Sequence, residues 1–361
     1  RTEYDADRRP IAVTYPDGAT VRTEYEAQYG QVARTTDEVG IETRYRYDAK
    51  GNLIERTEAA GRPEARTATW TYDEFGQRLS ETFGVGTAAV TARWSYDGFG
   101  NADTQTDPLA QVHRYTYNVL GQTLSWQAPD GQTWRAEYDA LGRLTKRADP
   151  LDHSTAYTYD ALGRRLKTTD PTGATTQFEY EPTGRLRAQT DALGQTTRYE
   201  YDGQGRLAAV TDPAGNATRY TYDGQGRLAG VTDPAGNATR YQYGSAADGL
   251  EGLLAAISYP TYRLEYRYDA RDRAVQSIRV VDATTRLTTR IGYDGKGRAV
   301  SRTDPAGHAA LTQYDGLGRA VQTTDALGGV TGYQYDARDN LIALTDASGQ
   351  THRFDYDAAG R

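Results

Sequence analysis

The 361-residue chain contains no cysteine and no methionine, and only five phenylalanines, four lysines and four histidines. Without cysteine there are no disulfides, thiolate metal sites or thiol nucleophiles, and no redox compartment is indicated. No run of about 18 apolar residues occurs to span a bilayer, and no charged-then-apolar leader opens the chain. The net charge of -7 and the pI near 5.3 lack the clustered basic surface that nucleic acid demands. Bulky aliphatic residues are scarce: 24 Leu, 16 Val and 7 Ile with the 5 Phe. That scarcity is one half of the signature of disorder, and the other half, high net charge, is missing. Instead 29 tyrosines and 4 tryptophans supply aromatic surface. The mean hydropathy of -0.78 therefore suits a fold that keeps most of its area wet. The chain starts at Arg1-Thr2 and stops at Gly360-Arg361, which leads to the expectation of a segment cut from a longer polypeptide.

An internal period dominates what is present. A Tyr-Asp-like step recurs at Tyr4, Tyr25, Tyr47, Tyr72, Tyr96, Tyr117, Tyr138, Tyr159, Tyr180, Tyr201, Tyr222, Tyr243, Tyr268, Tyr293, Tyr314, Tyr335 and Tyr356, most often 21 residues apart. A period of that size sets the architecture. In the clearest unit Thr218, Tyr220 and Tyr222 alternate with Arg219 and Thr221, the period of two expected of a strand. Asp223-Gly224-Gln225-Gly226 then predicts a turn, Arg227-Leu228 opens a return strand, and Asp233-Pro234-Ala235-Gly236 closes it with a second turn. Asp at the first turn position bonds back to the backbone, Pro suits the second, and Gly at the fourth supplies left-handed dihedrals. Each unit is thus a β-hairpin. Where the spacing is 25, four extra residues are expected to lengthen two paired strands by two each, which preserves every side chain's face. The 24-residue step from Tyr72 to Tyr96 needs an extra turn or bulge residue near Gly84-Val85-Gly86, and a longer loop is expected over Gly244 to Gly249.

The predicted fold is all-β, one repeat region over 1–361 with irregular repeats near 51–95 and 244–292. Its tandem hairpins of about 21 residues join into one continuous antiparallel sheet. About 34 strands at roughly 4.8 Å each give a ribbon of about 160 Å, and a sheet that long is expected to curl. Closed into a ring it would measure about 50 Å across and enclose more space than its side chains fill.

Tyr201-Asp202-x-x-Gly205-Arg206-Leu207 followed by Asp212-Pro213-x-Gly215, and the same pattern from Tyr222, Asp223, Gly226, Arg227 and Leu228, resemble the RHS or YD repeat. The resemblance runs over essentially the whole chain. It implies a spiral sheet wound into a hollow shell, which in bacterial Rhs effectors and insecticidal toxin complexes encloses a C-terminal toxin; teneurins carry a similar barrel. The partners it implies are that toxin as cargo, a secretion spike or chaperone, and a cognate immunity protein. Its setting is a secreted or cell-surface protein of bacterial competition, with type VI secretion as one export route. The family's closing segment, with an Asp-Pro-x-Gly-Leu-like motif before autoproteolysis, has no counterpart here. Asn237 follows Gly236, so no protease role falls to these aspartates.

Little else offers chemistry. An aromatic residue two positions before the marker tyrosine occurs in 12 of 17 units, Tyr220 among them, and reads as cross-strand rows rather than a sugar-binding platform. Arginine outnumbers lysine 38 to 4. Arg206 with Asp202 and Arg227 with Asp223 read as turn braces, with polyanion or cargo contact as the alternative. His113, His153, His308 and His352 share no metal-ligand spacing and read as surface or wall residues. No calcium nonapeptide, dinucleotide fingerprint or nucleophile elbow is present. Neither catalytic residues nor a cofactor are expected, and the chain reads as a shell module and not an enzyme. The competing reading is a surface adhesion module that binds carbohydrate through exposed tyrosines. The absent return strand after Arg361 adds the expectation of an open shell segment with an exposed final edge and a large concavity.

Overall fold

Strand-forming Thr, Tyr and Val alternate with polar residues along every unit, and the chain accordingly folds as β-sheet throughout. A computed structural model describes residues 1–84, 89–245, 247, 249–358 and 360–361. The described residues form 33 strands, numbered in chain order from β1 (Thr2–Tyr4) to β33 (Thr351–Arg353), in one antiparallel sheet. Among the described residues there is no α-helix.

One repeat shows the rule. β21 (Ala217–Tyr222) pairs with β22 (Leu228–Thr232), setting Tyr220 opposite Val231 and Thr221 opposite Gly230. A register shift between Thr221 and Tyr222 then places Tyr222 opposite Leu228. β22 pairs onward with β23 (Ala238–Tyr243), Val231 facing Thr239. The second strand of each hairpin thus joins the first strand of the next. Because side chains alternate, Thr218, Tyr220 and Tyr222 share a half-buried face, whereas Arg219 and Thr221 lie exposed on the other.

Burial is shallow. The most buried residues are mainly alanines such as Ala188, Ala209 and Ala343, and among the described residues no large side chain is fully buried. Ala209 pairs with Glu200 on one side and Arg219 on the other, so long polar side chains flank the small residue. Stability in so thin a wall has to come from many repeated polar contacts in addition to apolar area.

The unequal spacings resolve in three ways. Between Tyr268 and Tyr293, β26 (Ala274–Val280) and β27 (Arg286–Tyr293) have seven and eight residues where the regular repeat has five and six, the even lengthening that preserves faces. Between Tyr47 and Tyr72 the expectation of two extra residues per strand is corrected. β6 (Leu53–Glu58) and β7 (Arg66–Tyr72) gain one residue each, and the other two widen the turn between them. Between Tyr243 and Tyr268 the insertion falls in the loop before β24 (Leu254–Ser258), where Gly244 bridges to Glu251. Val85 and Gly86 of the expected bulge lie outside the described residues, as do Ala246 and Asp248 of the loop.

The chain gathers into two compact units. One comprises Arg1–Ser95, Gln105–Gln111 and Glu265–Arg361; the other comprises Tyr96–Thr104 and Val112–Leu264.

Candidate functional site

Each hairpin ribbon has two edges of turns, and the edge that follows the marker tyrosine carries a polar ladder. At Asp202 the carboxylate Oδ1 accepts the N–H groups of Gln204 and Arg206, both at 2.9 Å. Its Oδ2 accepts Arg206 Nε at 2.8 Å. Gly205 N–H donates to the Asp202 carbonyl at 2.9 Å, and its φ of +85° is the left-handed state that Gly adopts without strain. Asp223, Gly226 and Arg227 repeat the arrangement, with Arg227 Nε donating to Asp223 Oδ2 at 2.7 Å.

The arginine does more than brace its own turn. The Arg206 guanidinium lies 4.4 Å from the ring centroid of Tyr222, the marker of the next repeat. Arg185 covers Tyr201 at 4.7 Å and Arg227 covers Tyr243 at 4.2 Å. Arg143 Nη1 also donates to the Asp160 carbonyl at 2.8 Å, and Arg319 Nη1 to that of Asp336 at 2.9 Å. The covered tyrosine then reaches back. Tyr222 O–H donates to the Leu207 carbonyl and Tyr201 O–H to that of Leu186, both at 2.9 Å, while Tyr243 O–H donates to Leu228 at 3.1 Å. At least thirteen marker tyrosines make this bond. Where Gln replaces Arg, its amide makes the contact to the next turn instead, Gln122 Nε2 donating to the Gly142 carbonyl at 2.6 Å.

Electrostatics follow from these bonds. The Arg206 backbone N–H and then its guanidinium hold the Asp202 carboxyl below its ordinary value. On the opposite edge Asp212 is lowered first by the Asn216 side-chain amide, then by the Asn216 backbone N–H. Pro213 and Gly215 complete that turn, Gly215 donating to the Asp212 carbonyl at 3.0 Å with φ +88°. Burial pushes the Tyr201 hydroxyl up from its ordinary value.

In the first unit the ladder edge meets a second ribbon edge. Arg271 Nη2 pairs with Asp17 Oδ1 at 2.7 Å while its guanidinium lies 4.1 Å from the Tyr15 ring centroid. Lys296 Nζ pairs with Asp37 Oδ2 at 2.6 Å, Gly316 N–H donates to Glu64 Oε1 at 2.9 Å, and Arg66 pairs with Asp339. Burial works to raise the Asp17 carboxyl, but the Ala19 N–H and Arg271 outweigh it and leave it lowered. Ile41 and Ala59 are buried at this seam, and a cavity of about 460 Å³ opens beside it between Glu64, Arg319 and Tyr335. The sequence signal was the charged third turn residue, Arg271, Lys296 and Arg338, where earlier turns carry Phe99, Leu120, Leu141 and Leu162.

In the second unit the tyrosine face is interrupted. Trp126 stacks on Trp134 at 4.0 Å between centroids, with His113 on its other side at 6.0 Å. Beside them a cavity of about 280 Å³ lies over Ala136. The remaining histidines sit at the surface: His153 Nδ1 is 3.0 Å from Asp149 Oδ2, His308 Nδ1 is 3.1 Å from Asp304 Oδ2, and His352 is exposed on β33. Among the described residues no three His, Cys, Asp or Glu side chains cluster as metal ligands, and no helix is long and apolar enough to cross a membrane.

Comparison with known proteins places this geometry. The RHS Repeat family model matches residues 29–63, 117–152, 138–175, 180–217, 201–238, 222–261 and 314–351, together more than half of the chain. Among solved structures, TcdB2-TccC3 without its hypervariable C-terminal region superposes with a TM-score of 0.76 at 17% identity, covering 100% of this chain and 24% of that one. The Photorhabdus luminescens Tc holotoxin pore superposes at 0.75, also 17% identical, covering 99% of this chain and 24% of that one. TcdB2-TccC3-TEV gives 0.74 at 16% identity, covering 100% and 24%. The chain therefore spans about a quarter of the length of these structures and shares their fold over that stretch. None of the curated proteins compared with the chain matches it.

Proposed function

Because this chain belongs to the RHS repeat family, we propose that it is a shell module of a secreted toxin, part of a hollow β-sheet cage around a C-terminal toxin. Its role is structural rather than catalytic: the wall separates the cargo from the producing cell until delivery. The observation that carries this reading is the placement of the tyrosines. Every marker tyrosine after Tyr4 is at least half-buried, and at least thirteen of these rings bond from one hairpin to the one before it. Adhesion through exposed ring faces finds no support in that arrangement, since a pyranose needs an open face to stack upon. The repeated Arg-Tyr-carbonyl ladder adds to it, because a barrier must resist opening between any two hairpins.

The test is protease protection. The gene product that contains residues 1–361 is expressed together with its C-terminal region and digested under native conditions. Survival of the C-terminal region for as long as the repeats stay intact is the expected result. Its loss at the rate measured for that region alone would overturn the reading.

A further inference from the structure

The interruption on the tyrosine face of the second unit has the form of a vacated side-chain position. Two residues before the marker, this row carries Tyr115, Tyr157, Phe178, Tyr199 and Tyr220, but before Tyr138 it carries Ala136. Ala136 pairs with Arg147 across β13 (Thr133–Tyr138) and β14 (Leu144–Ala148). The cavity of about 280 Å³ over it is walled by Trp126, Trp134, Tyr138, Leu124 and Leu144, with Arg147 at its side.

Three features point to what fits. First, the wall supplies aromatic faces, and aromatic rings gain energy from stacked or edge-on partners beyond their buried area. Second, arginines elsewhere on return strands stand over rings of the following repeat, Arg78 over Trp94 at 4.3 Å, Arg165 over Phe178 at 4.9 Å and Arg56 over Trp70 at 5.9 Å, so a ring is the usual companion of an arginine on this face. Arg147 holds the position of Arg56 in its own return strand, yet among the described residues it has neither an ion pair nor a ring beneath it. A guanidinium gains from a ring face. Third, Trp126 Nε1 is buried with no acceptor among the described residues. Buried indole N–H groups nearly always find a partner, and an occupant with an amide carbonyl can offer one.

We propose that this cavity binds an aromatic side chain, tyrosine or phenylalanine, presented by a polypeptide segment. The ring takes the place that Ala136 leaves in the row, packs against Trp134 and Leu144, and lies against Arg147. Only the identification of that segment as cargo rests on the shell reading; the binding itself does not. A sugar ring is the competing occupant, since pyranoses also stack on tryptophan, but it offers the Arg147 guanidinium no aromatic face.

The 361-residue chain, labelled with ¹⁵N at its indoles, is titrated separately with N-acetyl-L-tyrosinamide and with methyl β-D-glucopyranoside while the Trp126 Nε1–H resonance is followed by NMR. The expected result is a saturable shift with the amide and none with the glycoside. Ala136→Tyr, which restores the residue usual at this row position, should weaken amide binding by about tenfold or more. Leu124→Lys, at a residue of β12 (Thr123–Gln127) that is already 37% exposed, reads the same effect from the lip of the cavity. No saturable shift up to the solubility limit of the amide, preference for the glycoside, or unchanged binding in both variants would each overturn the proposal. The protease-protection result stands or falls separately from all three.

Discussion

Gly316 N–H donates to Glu64 Oε1 at 2.9 Å, joining turns 252 residues apart in sequence. A Cβ on Gly316 would stand 2.6 Å from that oxygen and 3.3 Å from Ala59 and Ile41, so the bare backbone is what allows the approach. Gly203 and Gly224 occupy the same turn position with nothing within 4 Å. Gly316→Ala should therefore cost about 1–3 kcal/mol through crowding. Gly203→Ala should be neutral or stabilising by up to about 1 kcal/mol through the unfolded chain. Thermal melts of the two variants beside the parent check this, and equal effects would refute the seam's dependence on close contact.

Tyr222 holds its neighbours by two separable means, its O–H to Leu207 and its ring beneath Arg206. Tyr222→Phe keeps the ring and loses one hydrogen bond, an expected loss of about 1 kcal/mol. Arg206→Lys keeps the charge but loses the planar fork that serves Asp202 and the ring together, and should cost at least as much. Chemical denaturation of both variants and the double variant measures the coupling, which is expected to be non-additive because the groups touch.

Ala110 occupies the fourth position of Asp107-Pro108-Leu109-Ala110 with φ +61°, where the equivalent Gly215 has +88°. A left-handed alanine is strained by roughly 1–2 kcal/mol. Ala110→Gly should recover part of that, net of glycine's greater unfolded-state freedom, for a gain of about 0.5–1 kcal/mol. A lower melting temperature would contradict it.

Acid should dissolve the turns. Asp202, Asp212 and Asp17 all lie below their ordinary carboxyl values in the folded chain, and Asp282 is held down to about 2 by the Thr284 N–H. A lowered folded pKa means that the unfolded chain binds protons first, so the stabilisation is present above about 3.9 and disappears as pH falls through the folded values. Melting temperature is expected to hold between about pH 5 and 7 and to fall steeply below about 4. Asp282→Asn should flatten the lowest part of that fall, and a melting temperature unchanged down to about pH 2 would refute a stabilising role for the turn carboxylates.

Much of this was legible beforehand because it is local. Asp202, Gly205 and Arg206 lie within one turn, and their types dictate its geometry. The stacking of Arg206 on Tyr222 was not legible, since it joins residues 16 apart whose meeting depends on strand register and on the bulge at Thr221. Glu64 and Gly316 are further still: the charged residues Arg271, Lys296 and Arg338 mark neighbouring turns, but Leu317 gives the Gly316 turn an ordinary sequence. Ala136 was visible as an exception to the aromatic row, but its consequence needed the facing Trp134 and Arg147. Even lengthening of the strands was expected for the 47–72 spacing and failed there, because Ala59 to Ala65 fold into a wider turn at the seam.

The residues that stitch one hairpin to the next recur along the regular repeats, and there this makes length a free variable. Units 201–221 and 222–242 differ only at Ala209 against Gly230 and Thr221 against Gln242. Excising either would leave an arginine facing a tyrosine across the cut, with its carbonyl acceptor at the usual distance along the chain. Duplication or loss of a whole unit is thus invisible to the local contacts. Only the seam residues, each matched to one particular distant turn, register how many units lie between them.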